Sequence, residues 1–175
     1  MRTTGIIRRI DELGRVVIPK EIRRTMRLRV GEEMEIFIEE NQLVLKKFSS
    51  IFNIGQFAAE YSLALSESLK CTVLICDTEK IVSASGDKRR DYENKFLSKE
   101  AEKLLAERTI RTLTTENTVS VVGEDNFPKQ QIFAPIIVGG DIAGGFILIS
   151  FEGDMNSLNN SAVEIASNFF SNILQ

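Results

Sequence analysis

Two short apolar runs separated by a glycine begin the hydrophobic pattern of the chain. Residues 5–11 and 14–18 are rich in isoleucine and valine, and β-branched residues favour strands. Gly14 predicts the turn between them, because glycine takes a positive φ at little cost. Pro19 then ends the second strand and suits the first turn of a helix over 19–26, where its missing N–H is not needed.

Apolar and polar residues alternate from residue 33 onwards. Met34, Ile36 and Ile38 recur with a period of two, which predicts a half-buried strand. The polar pair at 41–42 predicts a turn, and the apolar run at 43–45 predicts the returning arm of a hairpin.

This first module, residues 1–48, is short for an independently stable domain. Chains of this size bury too little surface to be stable without disulfides, metals or a partner. The chain has no histidine, and both of its cysteines lie outside the module. A second copy that shares one core is the remaining solution, so we expect an obligate dimer through this module.

An antiparallel sheet with helices is predicted beyond residue 48. Gly139 and Gly140 predict a tight hairpin turn, and Pro135 predicts an edge position or a bulge. Gly144 and Gly145 are also interpreted as turn or bulge residues, because neither a helix nor Gly-Lys-Ser/Thr follows them. The predicted elements are a helix at 51–70, strands at 72–76 and 80–84, a helix at 96–108, strands at 118–122, 131–138 and 142–151, and a helix at 156–174.

Two of these helices carry more apolar residues than one packing face requires. A single stripe is enough to pack on a sheet, so a second stripe predicts contact with another subunit; a deeply buried helix of one domain is the alternative. The first helix has a coiled-coil-like seam of Ile51, Ile54, Ala58, Tyr61 and Leu65. The last has one stripe of Leu158, Ala162, Ile165 and Phe169 beside another of Val163, Ala166, Phe170 and Leu174.

Charge is distributed unevenly along the chain. The net charge of −3 combines +6 in residues 1–30, −3 in 31–48 and −6 in 49–175. A basic segment joined to an acidic body predicts a local surface that binds a polyanion. The candidate cations are Arg8, Arg9, Arg15, Lys20, Arg23 and Arg24, with Arg27 beyond them.

Composition excludes several kinds of site. Without histidine, neither a Ser-His-Asp nor a Cys-His catalytic site can form, and two cysteines cannot make a Cys/His zinc site within one chain. We expect Cys71 and Cys76 to be small buried hydrophobic residues, and we expect no cofactor and no catalytic residue. No apolar run approaches the roughly 18 residues that span a bilayer, so the expectation is a cytoplasmic protein without a membrane partner.

The segment TGIIRRIDELGRVVIPKEIRRTM, followed by GEEMEIFIEENQLVLKK, resembles the swapped-hairpin DNA-binding domain of the AbrB family of bacterial transition-state regulators. The D-E-L-G-R-V-V-I-P core is the most specific part of the resemblance. It implies a small swapped-hairpin β-barrel over 1–48 that forms an intertwined dimer on double-stranded DNA. The family's DNA-contacting arginines correspond to Arg8, Arg15, Arg23 and Arg24, with Arg9 and Lys20 as secondary basic neighbours.

The remaining residues resemble a GAF-type sensory domain in the order of their elements. This implies an α+β protein in which 49–55 are a linker and the start of a helix, and 56–175 form a GAF-like antiparallel sheet flanked by helices. The combination is similar to sporulation regulators of endospore-forming bacteria. It implies a DNA-binding activator and repressor of sporulation genes in the developing spore, assembled as a homotetramer through the C-terminal helices.

One alternative function comes from another class of protein. The second domain could be a ligand-sensing or protein-interaction module, with the basic barrel chiefly a dimerisation unit. No residue motif for a pocket is present, so a small-molecule ligand of the GAF-like domain stays open.

Overall fold

A computed structural model of the chain describes residues 5–123, 127–153 and 155–175, without the side chains of residues 52 and 53. Arg2, one of the cations counted above, lies outside the described residues. By its internal contacts the chain divides into two units, residues 1–48 and 49–175.

The first unit contains one short helix and one hairpin. Helix α1 is Lys20–Thr25, and strands β1 (Met34–Glu39) and β2 (Gln42–Lys47) pair antiparallel. The register joins Glu39 to Gln42, so the loop is Glu40-Asn41, one residue earlier than predicted. Glu40 has a φ of 51°.

The strands predicted at 5–11 and 14–18 are not strands in the single chain, although the turn between them forms. Gly14 has a φ of 76°, and its N–H donates to the Asp11 carbonyl over 3.0 Å. The Asp11 N–H donates to the Arg15 carbonyl over 3.1 Å, and the ladder extends no further. Strand propensity measures fit to a pleated surface with cross-strand neighbours, and a lone two-stranded hairpin is marginal in water. Ile7 is 91% exposed and Val17 is 75% exposed.

The second unit is a five-stranded antiparallel sheet with helices packed on it. The sheet order is β4-β3-β7-β6-β5. Its elements are α2 (Ser50–Asn53), α3 (Gly55–Leu69), β3 (Thr72–Asp77), β4 (Ile81–Ser85), a 3-10 turn (Arg89–Asp91), α4 (Lys99–Ala106), β5 (Arg111–Thr114), β6 (Gln130–Val138), β7 (Asp141–Ser150) and α5 (Ser157–Ile173).

The strand predicted at 118–122 is wrong, because β5 lies earlier and takes the edge of the sheet. The segment at 118–122 is held by a side chain instead of a ladder. The buried Gln131 amide accepts from the Val119 N–H over 2.9 Å and donates to the Val119 carbonyl over 2.7 Å. A side-chain amide carries the same donor and acceptor as a peptide group, so it satisfies Val119 without a strand, and the Ser98 N–H donates to the Val121 carbonyl over 2.7 Å.

Pro135 lies at an edge, as predicted. The last pair between β5 and β6 joins Arg111 to Phe133, so β5 has ended before Pro135 is reached. Helix α5 replaces the missing strand: the Ser167 hydroxyl donates to the Pro135 carbonyl, and the Ile137 N–H donates to the Ser171 hydroxyl over 3.1 Å.

Alternating side chains build one apolar cluster on each face of the sheet. Cys71 belongs to the cluster that includes α3 and α5 residues, and Cys76 belongs to the cluster that includes α4 residues. Both thiols are free and buried, as predicted. Burial raises the pKa of the Cys71 thiol to about 11, and it raises the pKa of Cys76 further.

The glycine pair in β7 lets a helix approach each face of the sheet closely. A Cβ on Gly144 would lie 2.0 Å from the Cys76 carbonyl oxygen and 2.5 Å from Cδ1 of the fully buried Ile51. A Cβ on Gly145 would lie 2.4 Å from a methyl group of Leu105 in α4. The register with β6 skips Ala143, so a bulge precedes the pair, and the pair itself is explained by close packing.

We predict that Gly144→Ala destabilises the second unit by about 3 kcal/mol or more, at the upper end of the usual cost of overpacking. The new methyl group meets backbone atoms of β3, which cannot move without breaking the sheet. Chemical denaturation of both variants measures the effect. Gly153→Ala is the matched control, since its Cβ would meet only the Ser150 hydroxyl at 3.7 Å. Equal stabilities of the two variants would contradict the packing explanation.

Candidate nucleic-acid interface

The Asp11 carboxylate organises the turn that carries the first candidate arginines. Its Oδ1 accepts from the main-chain N–H of Leu13 over 3.0 Å and of Arg15 over 2.8 Å. Its Oδ2 accepts from the Arg15 Nε over 2.8 Å. Aspartate at the first position of a turn and glycine at the fourth is a known turn pattern. That pattern could have identified Asp11 from the sequence, where our interpretation considered only the glycine.

Arg8, Arg9 and Arg15 lie on the two arms of this turn, and all three are exposed. The Arg15 side chain is 71% exposed although it is paired with Asp11. The backbone hydrogen bond from the Asp11 N–H to the Arg15 carbonyl holds the two arms together at the turn.

Helix α1 brings the other three candidates together. Lys20, Arg23 and Arg24 are spaced three and four residues apart, so they occupy neighbouring positions on one side of the helix, and all are exposed. Arg23 and Arg24 lie in the last turn, where cations interact favourably with the helix dipole.

A hydrogen-bonded cap ends α1 directly after these arginines. The Leu28 N–H donates to the Arg23 carbonyl over 2.7 Å, and the Arg27 N–H donates to the Arg24 carbonyl over 3.3 Å. Arg27 takes a φ of 52°, in the position where glycine is most common. The cap satisfies carbonyls at the end of the helix and fixes where the helix stops.

Lys47 fastens the segment after α1 to the hairpin. Its Nζ donates to the Arg27 carbonyl over 3.0 Å and pairs with Glu32 over 3.0 Å. Glu32 in turn accepts from the Arg29 N–H over 2.8 Å. The segment that follows the basic helix is therefore tied to the end of β2 by a small network of charged groups.

The first unit has almost no buried interior within one chain. Among the described residues 5–48, Pro19 alone is buried. The exposed large hydrophobic side chains include Ile7, Ile10, Leu13, Val17, Val30, Ile38 and Leu43. A folded domain cannot be stable with such a set in water, so these side chains require a partner surface.

A second exposed apolar surface lies on α5. Its stripe of Val163, Ala166 and Phe170 is fully buried on the sheet. The neighbouring stripe is exposed, with Leu158 65%, Ile165 67% and Phe169 41% exposed. One of the two predicted stripes thus packs within the unit, and the other remains on the surface.

The coiled-coil-like seam predicted on the first helix packs against the unit's own core, completely for two of its residues and partly for the other three. Ile51 and Ala58 are buried in the unit's own core, with Ile54, Tyr61 and Leu65 packed against it. Sequence analysis missed that serines share this face. Ser62 is fully buried and lies 2.7 Å from the Ser83 hydroxyl and 2.8 Å from the Ser85 hydroxyl of β4. Polar side chains are buried when such bonds satisfy them.

A cavity of about 400 Å³ lies at one end of the sheet of the second unit. Its lining includes Lys70, Glu67, Asp87 and Glu152, as well as Lys88, whose Nζ lies 3.8 Å from the centre of the Phe151 ring. Because both signs of charge line the cavity, it favours no single class of ligand.

Two other kinds of feature are absent from the described residues. No group of three or more Cys, Asp or Glu residues in 5–123, 127–153 and 155–175 is arranged to hold a metal ion. Within the same ranges, no helix combines the length and the apolar character needed to cross a bilayer.

Comparison with known proteins covers both units. Residues 53–175 match the family model "Stage V sporulation protein T C-terminal, transcription factor", and residues 7–50 match "Antidote-toxin recognition MazE, bacterial antitoxin". Stage V sporulation protein T of Bacillus subtilis (strain 168) is 42% identical over 171 residues, 97% of this chain and 96% of that protein. Transition state regulatory protein AbrB of the same organism is 48% identical over 48 residues, 27% of this chain and 50% of that protein.

Among solved structures, the chain is similar to the GAF domain of the nutrient sensor CodY from Clostridium difficile. The TM-score is 0.54 with 16% identity, and the match covers 67% of this chain and 85% of that chain. At that identity the likeness shows the fold alone. It confirms the predicted GAF-like fold, and the sequence matches confirm the AbrB-like resemblance of the first unit.

We predict that Asp11 titrates below its ordinary pKa of 3.8 in the folded protein. The main-chain N–H of Arg15 and then the Arg15 side chain are the largest causes of the lowered pKa. The bonds therefore stabilise the turn above the ordinary pKa, and this stabilisation is lost as pH falls through the lowered pKa. The carboxyl-carbon chemical shift of Asp11, followed by NMR against pH, measures the midpoint.

Arg15→Ala provides the comparison for this titration. The variant keeps the main-chain donor and loses the side-chain donor, so the pKa of Asp11 should rise only part of the way back. An Asp11 midpoint at or above the ordinary value in the wild-type protein would contradict the observed geometry.

Proposed function

The chain belongs to the family of stage V sporulation protein T, and we propose that it is a sporulation transcription regulator whose residues 1–48 bind double-stranded DNA as a dimer. In this proposal residues 56–175 form the oligomerisation and regulatory domain, with 49–55 joining the two. The protein acts in the bacterial cytoplasm, within the developing spore, as an activator and a repressor.

One observation carries the proposal of DNA binding. The first unit presents Arg8, Arg15, Arg23 and Arg24 on ordered backbone while the rest of the chain is acidic. Positive potential is thereby concentrated on one small unit, and this attracts a polyanion. Arginine suits duplex DNA because its planar fork binds phosphate bidentately and also reads guanine edges.

The dimer follows from the exposed apolar side chains of the same unit. Two copies that exchange hairpins would provide the missing strands for residues 5–11 and 14–18 and a shared core for the exposed isoleucines and valines. The dimer would then present eight arginines, four from each chain, with Arg9 and Lys20 beside them. This arrangement explains why residues 5–11 and 14–18 have strand-forming side chains but no strand hydrogen bonds in a single chain.

The exposed stripe of α5 supports a further association of dimers into a homotetramer. Leu158, Ile165 and Phe169 are exposed on α5, and the Phe169 ring lies 6.0 Å from that of Phe57 in α3. Two DNA-binding faces on one tetramer would gain avidity for paired sites.

We predict that Arg23→Ala weakens the binding of full-length protein to duplex DNA about tenfold or more, as expected when hydrogen bonds to a charged group are removed. The slope of log K against log salt should also become shallower, by about 0.9 for each phosphate that the variant no longer neutralises. Mobility shifts at several salt concentrations measure both quantities.

Arg90→Ala is the matched control for this measurement, because Arg90 is an exposed arginine of the second unit. Its affinity and salt slope should equal those of the wild-type protein. If Arg23→Ala and Arg15→Ala both bind DNA like the wild type, the assignment of the interface is wrong. The alternative function, a sensing module with a basic dimerisation unit, would then be favoured.

We predict that Ile165→Asp converts the tetramer into dimers, because it places a charge in the exposed apolar stripe of α5. The side chain is 67% exposed within one chain, so the fold of the second unit should be retained. Native mass spectrometry measures the oligomer. Glu164→Lys, a charge change on the solvent side of the same helix, should remain tetrameric; dissociation of both variants alike would argue against this surface.

A further inference from the structure

Asp11 differs from the other acidic residues of the first unit in the set of hydrogen bonds that it accepts. One carboxylate binds both the main-chain N–H and the side-chain Nε of the same residue, Arg15, over 2.8 Å in each case. The Leu13 N–H completes the set over 3.0 Å. The arginine is thus held at its main chain and at Nε before any ligand binds.

The position of the carboxylate selects which edge of the guanidinium remains for a ligand. An arginine can offer a bidentate pair either from Nε with one terminal nitrogen or from the two terminal nitrogens. Asp11 occupies Nε, so the first of these pairs is no longer available. The end of the fork, with both terminal nitrogens, points away from the bound carboxylate, and the side chain is 71% exposed.

Charge distinguishes Arg15 from the arginines of α1. Together Asp11 and Arg15 carry no net charge, and the carboxylate repels a nearby phosphate. Release of counterions from phosphate is what makes binding of cations to DNA strong and salt-dependent, so a neutral pair gains little from it. Two parallel terminal N–H donors still match the O6 and N7 acceptors of guanine in the major groove.

We propose that Asp11 is a positioning residue that makes Arg15 a reader of guanine edges rather than a phosphate contact. This inference rests on the proposed function, since it assumes that the first unit binds duplex DNA. Arg23 and Arg24 then supply affinity that does not depend on sequence, and the Asp11–Arg15 pair supplies preference for particular sequences. Holding the fork in place beforehand also lowers the entropy lost on binding.

The experiment compares full-length variants on two duplexes. One duplex is enriched by the wild-type protein from a random pool, and the other has the same base composition in shuffled order. Fluorescence anisotropy gives the ratio of the two dissociation constants, and its salt dependence gives the slope. The variants are Asp11→Asn, Arg15→Ala, Arg15→Lys and the double variant Asp11→Asn/Arg15→Ala.

Asp11→Asn should lower the preference for the enriched duplex about fivefold or more, the lower limit for removal of one bidentate interaction with a base. Its amide oxygen can still accept the main-chain N–H groups that form the turn, and its amide nitrogen cannot accept from Nε. Binding to the shuffled duplex should stay equal or become tighter, because one negative charge is removed. In the Arg15→Ala background the same change should have no further effect on the preference.

Glu12→Gln is the matched control, with the same change of charge at the neighbouring exposed position and none of the three bonds of Asp11. It should leave the preference unchanged. Arg15→Lys tests the inference without touching the bonds that Asp11 makes to the main chain. It should lose the preference and retain binding to the shuffled duplex, because lysine keeps the charge without the fork.

Different outcomes separate the two proposals. If Arg15→Ala leaves binding to both duplexes unchanged, Arg15 is not part of the interface, and this part of the proposed function fails with the inference. If Arg15→Ala weakens binding but Asp11→Asn or Arg15→Lys keeps the preference, the inference alone is overturned. Equal weakening on both duplexes by Asp11→Asn would also overturn it, since Asp11 would then act only through the turn.

Discussion

The first 48 residues cannot bury their apolar side chains within one chain, and this constraint governs the molecule. Pro19 is the one buried residue among the described positions 5–48, while Ile7, Val17 and Ile38 are each at least three-quarters exposed. Hydrophobic burial is the dominant favourable term in folding. A unit without it needs a further apolar surface for stability. The proposed dimer would supply that surface and the DNA-binding face together.

The second unit, by contrast, buries two apolar clusters within one chain, and close backbone packing contributes to both. Gly144 and Gly145 admit Ile51 to one face of the sheet and Leu105 to the other, and both apolar clusters are closed to solvent. The remaining apolar surface, the outer stripe of α5, is not needed for this fold. It is therefore available for contact between subunits, and association through it does not have to stabilise the domain.

The arginines of the basic unit differ in their electrostatic surroundings. Arg23 and Arg24 follow one another at the end of α1, where the helix dipole favours cations. Arg15 is instead neutralised and oriented by Asp11. Arginines that are equivalent in a count of charges therefore differ in their surroundings. We accordingly propose a base-reading role for one and a phosphate-binding role for the others.

Local patterns in the sequence determined the elements whose stabilising contacts are nearby in the chain. Examples are the turn at Gly14, the hairpin of β1 and β2, the turn at Gly139 and Gly140, and the helix that follows Asn156. The positions of the candidate arginines also followed from the sequence, because their family motif and their charge are properties of the chain itself.

Tertiary structure decided what depends on neighbours distant in the chain. The segment at 118–122 is held by Gln131 instead of a ladder, and buried serines share the face of α3 that had the pattern of a subunit seam. Residues 5–11 and 14–18 have strand-forming side chains but no strand to pair with in one chain. Propensity and periodicity describe the local conformations that are open to a segment. The groups that satisfy its backbone and cover its side chains come from distant parts of the chain, or from a second copy, so they are decided only by the tertiary structure.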